Sequence, residues 1–133
     1  FPTRRSSDLT TSIQAGVRAA ATGTEGYMIC LSDMPLIEPA TYRSIIRTFD
    51  ENKTDQSLIV QPVFETNAGN PVIFSAGYKN EILALTFSEG CKPIVQKNRE
   101  HIHYVRVSTK AILLDADTEE AYQALLAEIP DKP

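Results

Sequence analysis

Three acidic residues of the 133-residue chain stand where carboxylates could hold a metal ion. The first, Asp33, belongs to the segment 31–35, which reads Leu-Ser-Asp-Met-Pro and follows a short apolar run. An acidic residue just past the carboxyl end of a buried strand lies where open α/β sheets bind ligands, and Mg²⁺ prefers such hard oxygen ligands. Asp33 is therefore a candidate Mg²⁺ ligand. The alternative that it only starts a turn before Pro35 stays open.

The other two acidic candidates lie near the end of the chain, in the segment 114–120, which reads Leu-Asp-Ala-Asp-Thr-Glu-Glu. Asp115 and Asp117 alternate, so in an extended chain they point the same way and could share one cation. The alternative is that Asp117 or Thr118 caps a final helix. The residues alone favour the cap for Asp117 and leave the role of Asp115 open.

Further candidates for substrate binding are spread along the chain. Ser12 is one of several hydroxyl residues at the predicted start of a helix, where free backbone N–H groups suit an anion, although plain capping is the favoured alternative. Gly69, Asn70 and Pro71 form a run whose glycine allows close approach of the backbone to a ligand, or simply a turn into a strand. Lys92 ends a loop and is either a phosphate partner or a solvated lysine.

The cysteines and histidines predict no further chemistry. Cys30 and Cys91 are isolated, so they form neither a disulfide framework nor a zinc site, and we expect a reducing cytoplasm. His101 and His103 have no acidic or cysteine partner at metal-ligand spacing. No nucleophilic triad is indicated.

Hydrophobic patterning indicates strands that alternate with helices. Such alternation predicts an α/β domain with a mostly parallel sheet. The predicted strands cover residues 27–31, 57–63, 71–74, 101–107 and 111–114, and the predicted helices cover 10–22, a stretch from 39 onward, 78–85, 92–98 and 118–127.

Composition bounds the function classes. The length fits one domain, and 42% hydrophobic with 23% charged residues predicts a packed core. The formal net charge of -4 argues against a duplex nucleic-acid partner, although it does not exclude a nucleotide ligand. No apolar run approaches a membrane span. We therefore expect neither a nucleic acid nor a membrane as partner.

The first nine residues read Phe-Pro-Thr-Arg-Arg-Ser-Ser-Asp-Leu and show no helical or strand period. They are the translation of a standard short-read sequencing adapter, TTC CCT ACA CGA CGC TCT TCC GAT CT. We hypothesise that residues 1–9 are adapter-derived and that 10–133 are the C-terminal part of a single domain. Sequencing the source locus tests this, because finding these codons there in frame would refute it.

Taken in order, the motifs resemble one family. The order is Ser-Ile-x-x-Gly at 12–16, Leu-x-Asp-Met-Pro, Gly-x-Pro-Val, Gly-Cys-Lys and Asp-x-Asp-Thr. Over about residues 10–128 this resembles the MobA-like NTP transferases, and it is most similar to their molybdenum cofactor cytidylyltransferase branch. The resemblance implies a Rossmann-like, three-layer nucleotidyltransferase fold, dependence on Mg²⁺ and release of pyrophosphate.

The resemblance also assigns roles to individual residues. It implies a Mg²⁺ site made by Asp33, Asp115 and Asp117, with Asp33 as the catalytic ligand. It implies five substrate-binding residues. Ser12 would lie near the nucleotide, and the loop facing the acceptor would consist of Gly69, Asn70 and Pro71. Lys92 stands where relatives often carry arginine.

The chain departs from the family at its front. The family begins with a strand and a glycine-rich Leu-Ala-Ala-Gly-x-Ser-x-Arg-Met-Gly-x-x-Lys loop that binds the triphosphate, and no such sequence occurs here. This predicts a truncated chain, with the first strands missing, that is inactive by itself.

The function expected of the parent is transfer of CMP or GMP from a nucleoside triphosphate to molybdopterin, with CTP favoured over GTP and a molybdoenzyme as a further partner. The first alternative is a sugar-phosphate nucleotidyltransferase or glycosyltransferase-like enzyme. The second is a non-catalytic module that binds molybdenum cofactor.

Overall fold

The computed structural model describes residues 6–31, 34, 36–86 and 90–114. None of the helices among these residues is long and apolar enough to cross a membrane. Short 3₁₀ turns span Ala76–Tyr78, Arg99–His101 and Lys110–Leu113. In chain order the remaining elements are α1 (Ser6–Ala19), β1 (Gly26–Ile29), α2 (Pro39–Asn52), β2 (Ile59–Phe64), β3 (Asn67–Ala68), β4 (Val72–Ser75), α3 (Lys79–Leu83), α4 (Lys92–Lys97) and β5 (Ile102–Arg106).

The described strands form one sheet. β4 lies between β1 and β2 and is antiparallel to both, while β5 pairs in parallel with the other side of β2. Strands β1, β2 and β5 therefore run in the same direction, and β4 is reversed between two of them. The predicted α/β class with a mostly parallel sheet is confirmed in this form. The short β3 forms an antiparallel hairpin with the end of β2, in a segment predicted to be loop.

Two apolar cores lie on opposite faces of the sheet, because neighbouring residues of a strand point to opposite sides. Ile59 packs in a core with α1, α3 and α4, whereas Val60 packs in a core with α2. On β4, Phe74 belongs to the first core and Ile73 to the second. Helices thus cover both faces, which is the three-layer arrangement that the resemblance implies.

Helix α1 begins at Ser6, four residues before the predicted start. Leu9 packs against the first core, and the buried Thr10 accepts a hydrogen bond through Oγ1 from the backbone N–H of Gly90 at 3.0 Å. The prediction that residues 6–9 follow no helical pattern was therefore wrong. With Leu9, the apolar positions 9, 13 and 17 repeat at a spacing of four, which is one face of a helix.

Helix α1 is attached to α3 by a side-chain amide. Nε2 of Gln14 donates to the backbone oxygens of Ile82 at 3.0 Å, Leu83 at 3.3 Å and Leu85 at 2.9 Å. The last carbonyls of a helix have no partner within the helix, so a side chain that reaches them stabilises its end. Gln14 thereby fixes where α3 ends relative to α1.

The predicted strand over 111–114 was wrong, because Lys110–Leu113 forms a 3₁₀ turn. Oγ1 of Thr109 accepts a hydrogen bond from the backbone N–H of Ala111, which starts the turn, and Ala111 and Ile112 are buried. A short apolar run is compatible with either a buried strand or a buried helical turn. The predicted final helix over 118–127 lies outside the described residues.

Candidate functional site

An open cleft of about 390 Å³ lies between the helices of the first core and the loop that joins β3 to β4. Its walls are mainly apolar and include Ile13, Phe74 and Val95. The polar side chains at its surface are few, among them Gln61 on β2. Small-molecule sites commonly combine apolar walls with a few convergent polar groups. This cleft is the candidate active site.

The loop that borders the cleft is held by backbone and side-chain hydrogen bonds. The N–H of Gly69 donates to the oxygen of Pro62 at 3.0 Å, and the N–H of Asn70 donates to the oxygen of Ile112 at 3.0 Å. Nε2 of Gln61 donates to the oxygen of Gly69 at 3.2 Å. A Cβ at Gly69 would overlap the backbone oxygen of Ile112, so the close approach of the two segments requires glycine.

The three predicted loop residues divide between two positions. Gly69 and Asn70 line the cleft. Pro71 is fully buried and follows a cis peptide bond after Asn70. Pro71 therefore packs behind the loop and, unlike the two residues before it, does not line the cleft.

Lys92 is the first residue of α4 and lines the same cleft from the opposite wall. It is exposed, and it is the charged side chain among the described residues that line the cleft. The neighbouring Cys91 is only 8% exposed, and burial raises the pKa of its thiol to about 11. A thiol with such a pKa is protonated near pH 7, and a protonated thiol is a poor nucleophile. The charge in this cleft therefore comes from Lys92.

Ser12 does not join these residues. It lies in the middle of α1, because that helix begins at Ser6, so the expected helix N-terminus is not at Ser12. Ser12 is exposed and borders a second cleft, of about 430 Å³, between α1 and β1. The structure thus brings Gly69, Asn70 and Lys92 together and places Ser12 on another surface.

The predicted metal ligands Asp33, Asp115 and Asp117 lie outside the described residues. Within the described part of the chain, no group of three or more histidine, cysteine, aspartate or glutamate side chains could hold a metal ion.

Some residues close in sequence to Asp33 and Asp115 are among those that the structure describes. Leu31, two residues before Asp33, lines the first cleft. Met34, directly after Asp33, packs in one apolar cluster with Ala111, which lies four residues before Asp115. The backbone oxygen of Ile112 also bonds to the loop residue Asn70.

Gln61 is the functional candidate that sequence reasoning missed. It is a half-buried residue of β2, and it both lines the cleft and holds the oxygen of Gly69. A signal was present, because a polar residue inside an apolar strand must find a hydrogen-bond partner if it is buried. The sequence gives no indication of which partner that is.

The fold defines the class of protein, an α/β domain with helices on both faces of one sheet. More narrowly, residues 3–103 match the family model described as the MobA-like NTP transferase domain, and the chain belongs to that family. A comparison with curated proteins gave no match.

Solved structures share the fold. Rv0371c from Mycobacterium tuberculosis H37Rv superposes with a TM-score of 0.76 at 24% identity over 90% of this chain and 60% of its own. Its manganese complex superposes with a TM-score of 0.75 at 24% identity, over 89% of this chain and 61% of its own. A homologue from Mycobacterium sp. strain JC1 superposes with a TM-score of 0.75 at 23% identity, over 88% of this chain and 56% of its own. This chain therefore spans about 60% of the length of these proteins.

Proposed function

We propose that the chain forms the acceptor side of a nucleotidyltransferase that transfers CMP or GMP from a nucleoside triphosphate to molybdopterin. The observation that carries the proposal is the convergence of Gly69, Asn70 and Lys92 on one apolar cleft in a chain of this family. The ordered motifs are most similar to the cytidylyltransferase branch, which favours CTP as donor over GTP. The two separate cysteines suit a cytoplasmic protein, with a molybdoenzyme as the partner that receives the cofactor.

In the reaction, an oxygen of the acceptor's phosphate attacks the α-phosphorus, the bond from that phosphorus to the β-phosphate oxygen breaks, and pyrophosphate leaves. Lys92 attracts the acceptor's phosphate by charge. Gly69 sets the course of the loop, because its N–H and its oxygen are both hydrogen-bonded within the protein, and the Asn70 amide supplies a donor and an acceptor of hydrogen bonds.

We propose Asp33, Asp115 and Asp117 as ligands of a divalent cation, with Mg²⁺ as the ion used. Carboxylate oxygens are the ligands that Mg²⁺ prefers. The packing of Met34 against Ala111 supports the proposal, because it ties together the segments that lead to Asp33 and to Asp115. A related protein also forms a complex with manganese, a cation of similar ligand preference. The ion would neutralise charge on the leaving pyrophosphate.

The glycine-rich loop with which the family binds the triphosphate has no counterpart in the printed chain. We therefore propose that the 133-residue chain alone does not turn over. An extended protein tests the proposed activity and the inactivity of the shorter chain. In this extended protein, residues 1–9 are replaced by the amino acids encoded directly before residue 10 in the source genome.

The assay measures pyrophosphate release from CTP or GTP with Mg²⁺ and molybdopterin. We expect release by the extended protein, faster with CTP, and none by the 133-residue chain. Release by the extended protein that does not depend on molybdopterin but appears with a sugar phosphate would overturn the proposed acceptor.

A further inference from the structure

Tyr104 lies directly beside Gln61 on the sheet. The two residues are register partners of the parallel strands β5 and β2. Neighbouring strands are about 4.8 Å apart, and paired residues project from the same face. The packing of β5 agrees, because Ile102 packs in the first core and Val105 in the second. Tyr104 is two residues from Ile102 and therefore shares the face that carries the cleft.

The strands place these side chains in a row. The β3–β4 loop, which contains Gly69 and Asn70, lies on one side of β2 and β5 on the other, so this loop, Gln61 and Tyr104 follow one another across the sheet. Gln61 and Asn70 line the cleft. Tyr104 is not among the lining residues and lies one strand further out, beside Gln61. Oε1 of Gln61 has no hydrogen-bond partner among the described residues, because the bond it is seen to make is donated by Nε2.

Tyr104 is unusually exposed for an aromatic residue, with 49% of its surface accessible. The other large apolar side chain of comparable exposure in the described part is Ile46, on the α2 side of the sheet, at 45%. An exposed aromatic ring beside a cleft lined by amide groups is suited to stack on a planar heterocycle whose edge meets those amides.

We propose that Tyr104 is a positioning residue that stacks on the planar ring of the acceptor, extending the row of Asn70 and Gln61 beyond the cleft. The inference rests on the proposed function, which supplies an acceptor with a planar ring and an anionic group. The ring lies on Tyr104, its polar edge faces the amides of Gln61 and Asn70, and its anionic group meets Lys92. Stacking tolerates any flat ring, so the amides supply the selectivity.

The test uses the full chain and the stable probe pterin-6-carboxylate, followed by pterin fluorescence. We expect Tyr104→Ala to raise the dissociation constant by about tenfold, because stacking of a base on an aromatic side chain is worth about 1–3 kcal/mol. Tyr104→Phe should keep the affinity, since the ring is retained. Ile46→Ala is the matched control, with similar exposure on the other face, and should bind as the parent does.

Lys92→Ala separates the inference from the function on which it rests. If Lys92→Ala weakens binding while Tyr104→Ala does not, the acceptor site stands and the stacking role is overturned. If the parent chain does not bind pterin-6-carboxylate, the proposed acceptor and the stacking role both fall. Cytidine 5′-monophosphate is the second probe: if Tyr104→Ala weakens its binding and leaves that of the pterin unchanged, the ring stacks on the donor's base and the proposal is wrong.

Discussion

At the scale of single residues, the backbone at Gly69 has a contact that no side chain can replace. Its Cα faces the backbone oxygen of Ile112, and the N–H of the next residue bonds to that same oxygen. Gly69 therefore both lines the cleft and packs closely against Ile112. Its variant is compared with one glycine that is closely packed away from the cleft and with one that has open space around it.

We expect Gly69→Ala to lower the free energy of unfolding by about 1–3 kcal/mol, the usual cost of overpacking, and to abolish binding of pterin-6-carboxylate. Urea unfolding and the fluorescence titration measure the two effects. Gly77→Ala is the first control, because its Cβ would overlap the oxygen of Gln56 away from the cleft, so it should be destabilised yet still bind. Gly16→Ala, in α1 with open space around it, should gain about 0.5–1 kcal/mol. Normal binding by Gly69→Ala would remove Gly69 from the site.

The acidic residues allow a test of the proposed metal site in the extended protein. Asp33→Asn keeps the shape of the side chain, but a neutral amide binds Mg²⁺ poorly, so we expect the rate of pyrophosphate release to fall by roughly a hundredfold or more. Asp115→Asn should have a milder effect, because the family resemblance implies either an acidic or an amide residue at that position. The metal site would be refuted if Asp33→Asn left the rate unchanged and Asp117→Ala lowered only the melting temperature. Asp33 would then be a turn residue and Asp117 a helix cap.

At the scale of elements, most of the alternation could be predicted from the sequence. The period of the apolar residues located β1, β2, β4, β5, α2 and α4 to within a few residues, because these elements have one or two buried faces. The start of α1 and the turn Lys110–Leu113 were misplaced, since both depend on tertiary contacts: Thr10 with Gly90, and Ile112 with the loop at Asn70. Gly69, Asn70 and Lys92 were predicted as substrate-binding residues through the family motifs, but their place on one cleft, like that of Gln61 and Tyr104 on neighbouring strands, emerges only from the structure.

The amide of Gln14 gives a prediction about how two helices are joined. Gln14→Leu keeps the size of the side chain but removes the donor to the backbone oxygen of Leu85, while the oxygen of Ile82 keeps its bond from the N–H of Leu85. Leaving partly buried acceptors unpaired costs about 1–3 kcal/mol, so the urea midpoint should fall. Arg18→Leu, at an exposed position of the same helix, should change stability by less than about 0.5 kcal/mol. Equal midpoints for the two variants would show that the Gln14 bonds are unimportant.

At the scale of the whole molecule, the buried thiol makes stability depend on alkaline pH. Burial raises the pKa of Cys91 from 9.0 to about 11, so between these values the unfolded chain has lost a proton that the folded chain retains. The folded state binds more protons, and the free energy of unfolding therefore falls as pH rises from about 9 towards 11, by on the order of 2 kcal/mol in total. Below pH 9 this contribution is fully present.

Urea unfolding at intervals from pH 8 to 10 measures this decline. In Cys91→Ala the curve should be flatter over the same interval, because the titrating group is gone. Cys30→Ser is the control, since Cys30 is exposed and its pKa is raised less, so its curve should follow that of the parent. A decline of the same size in Cys91→Ala would assign it to another group, of which the buried phenol of Tyr78, with its raised pKa, is the first to examine.

Three residues that line both clefts form a partition between them. Leu9, Ile13 and Ile29 contribute to the lining of both, so the same three residues lie between the first cleft and the cleft beside Ser12. Close-packed side chains transmit displacement with little compression. Room gained on one side by moving this partition is therefore taken from the other side. Two ligands that each displaced these three side chains would therefore compete for the same space without touching.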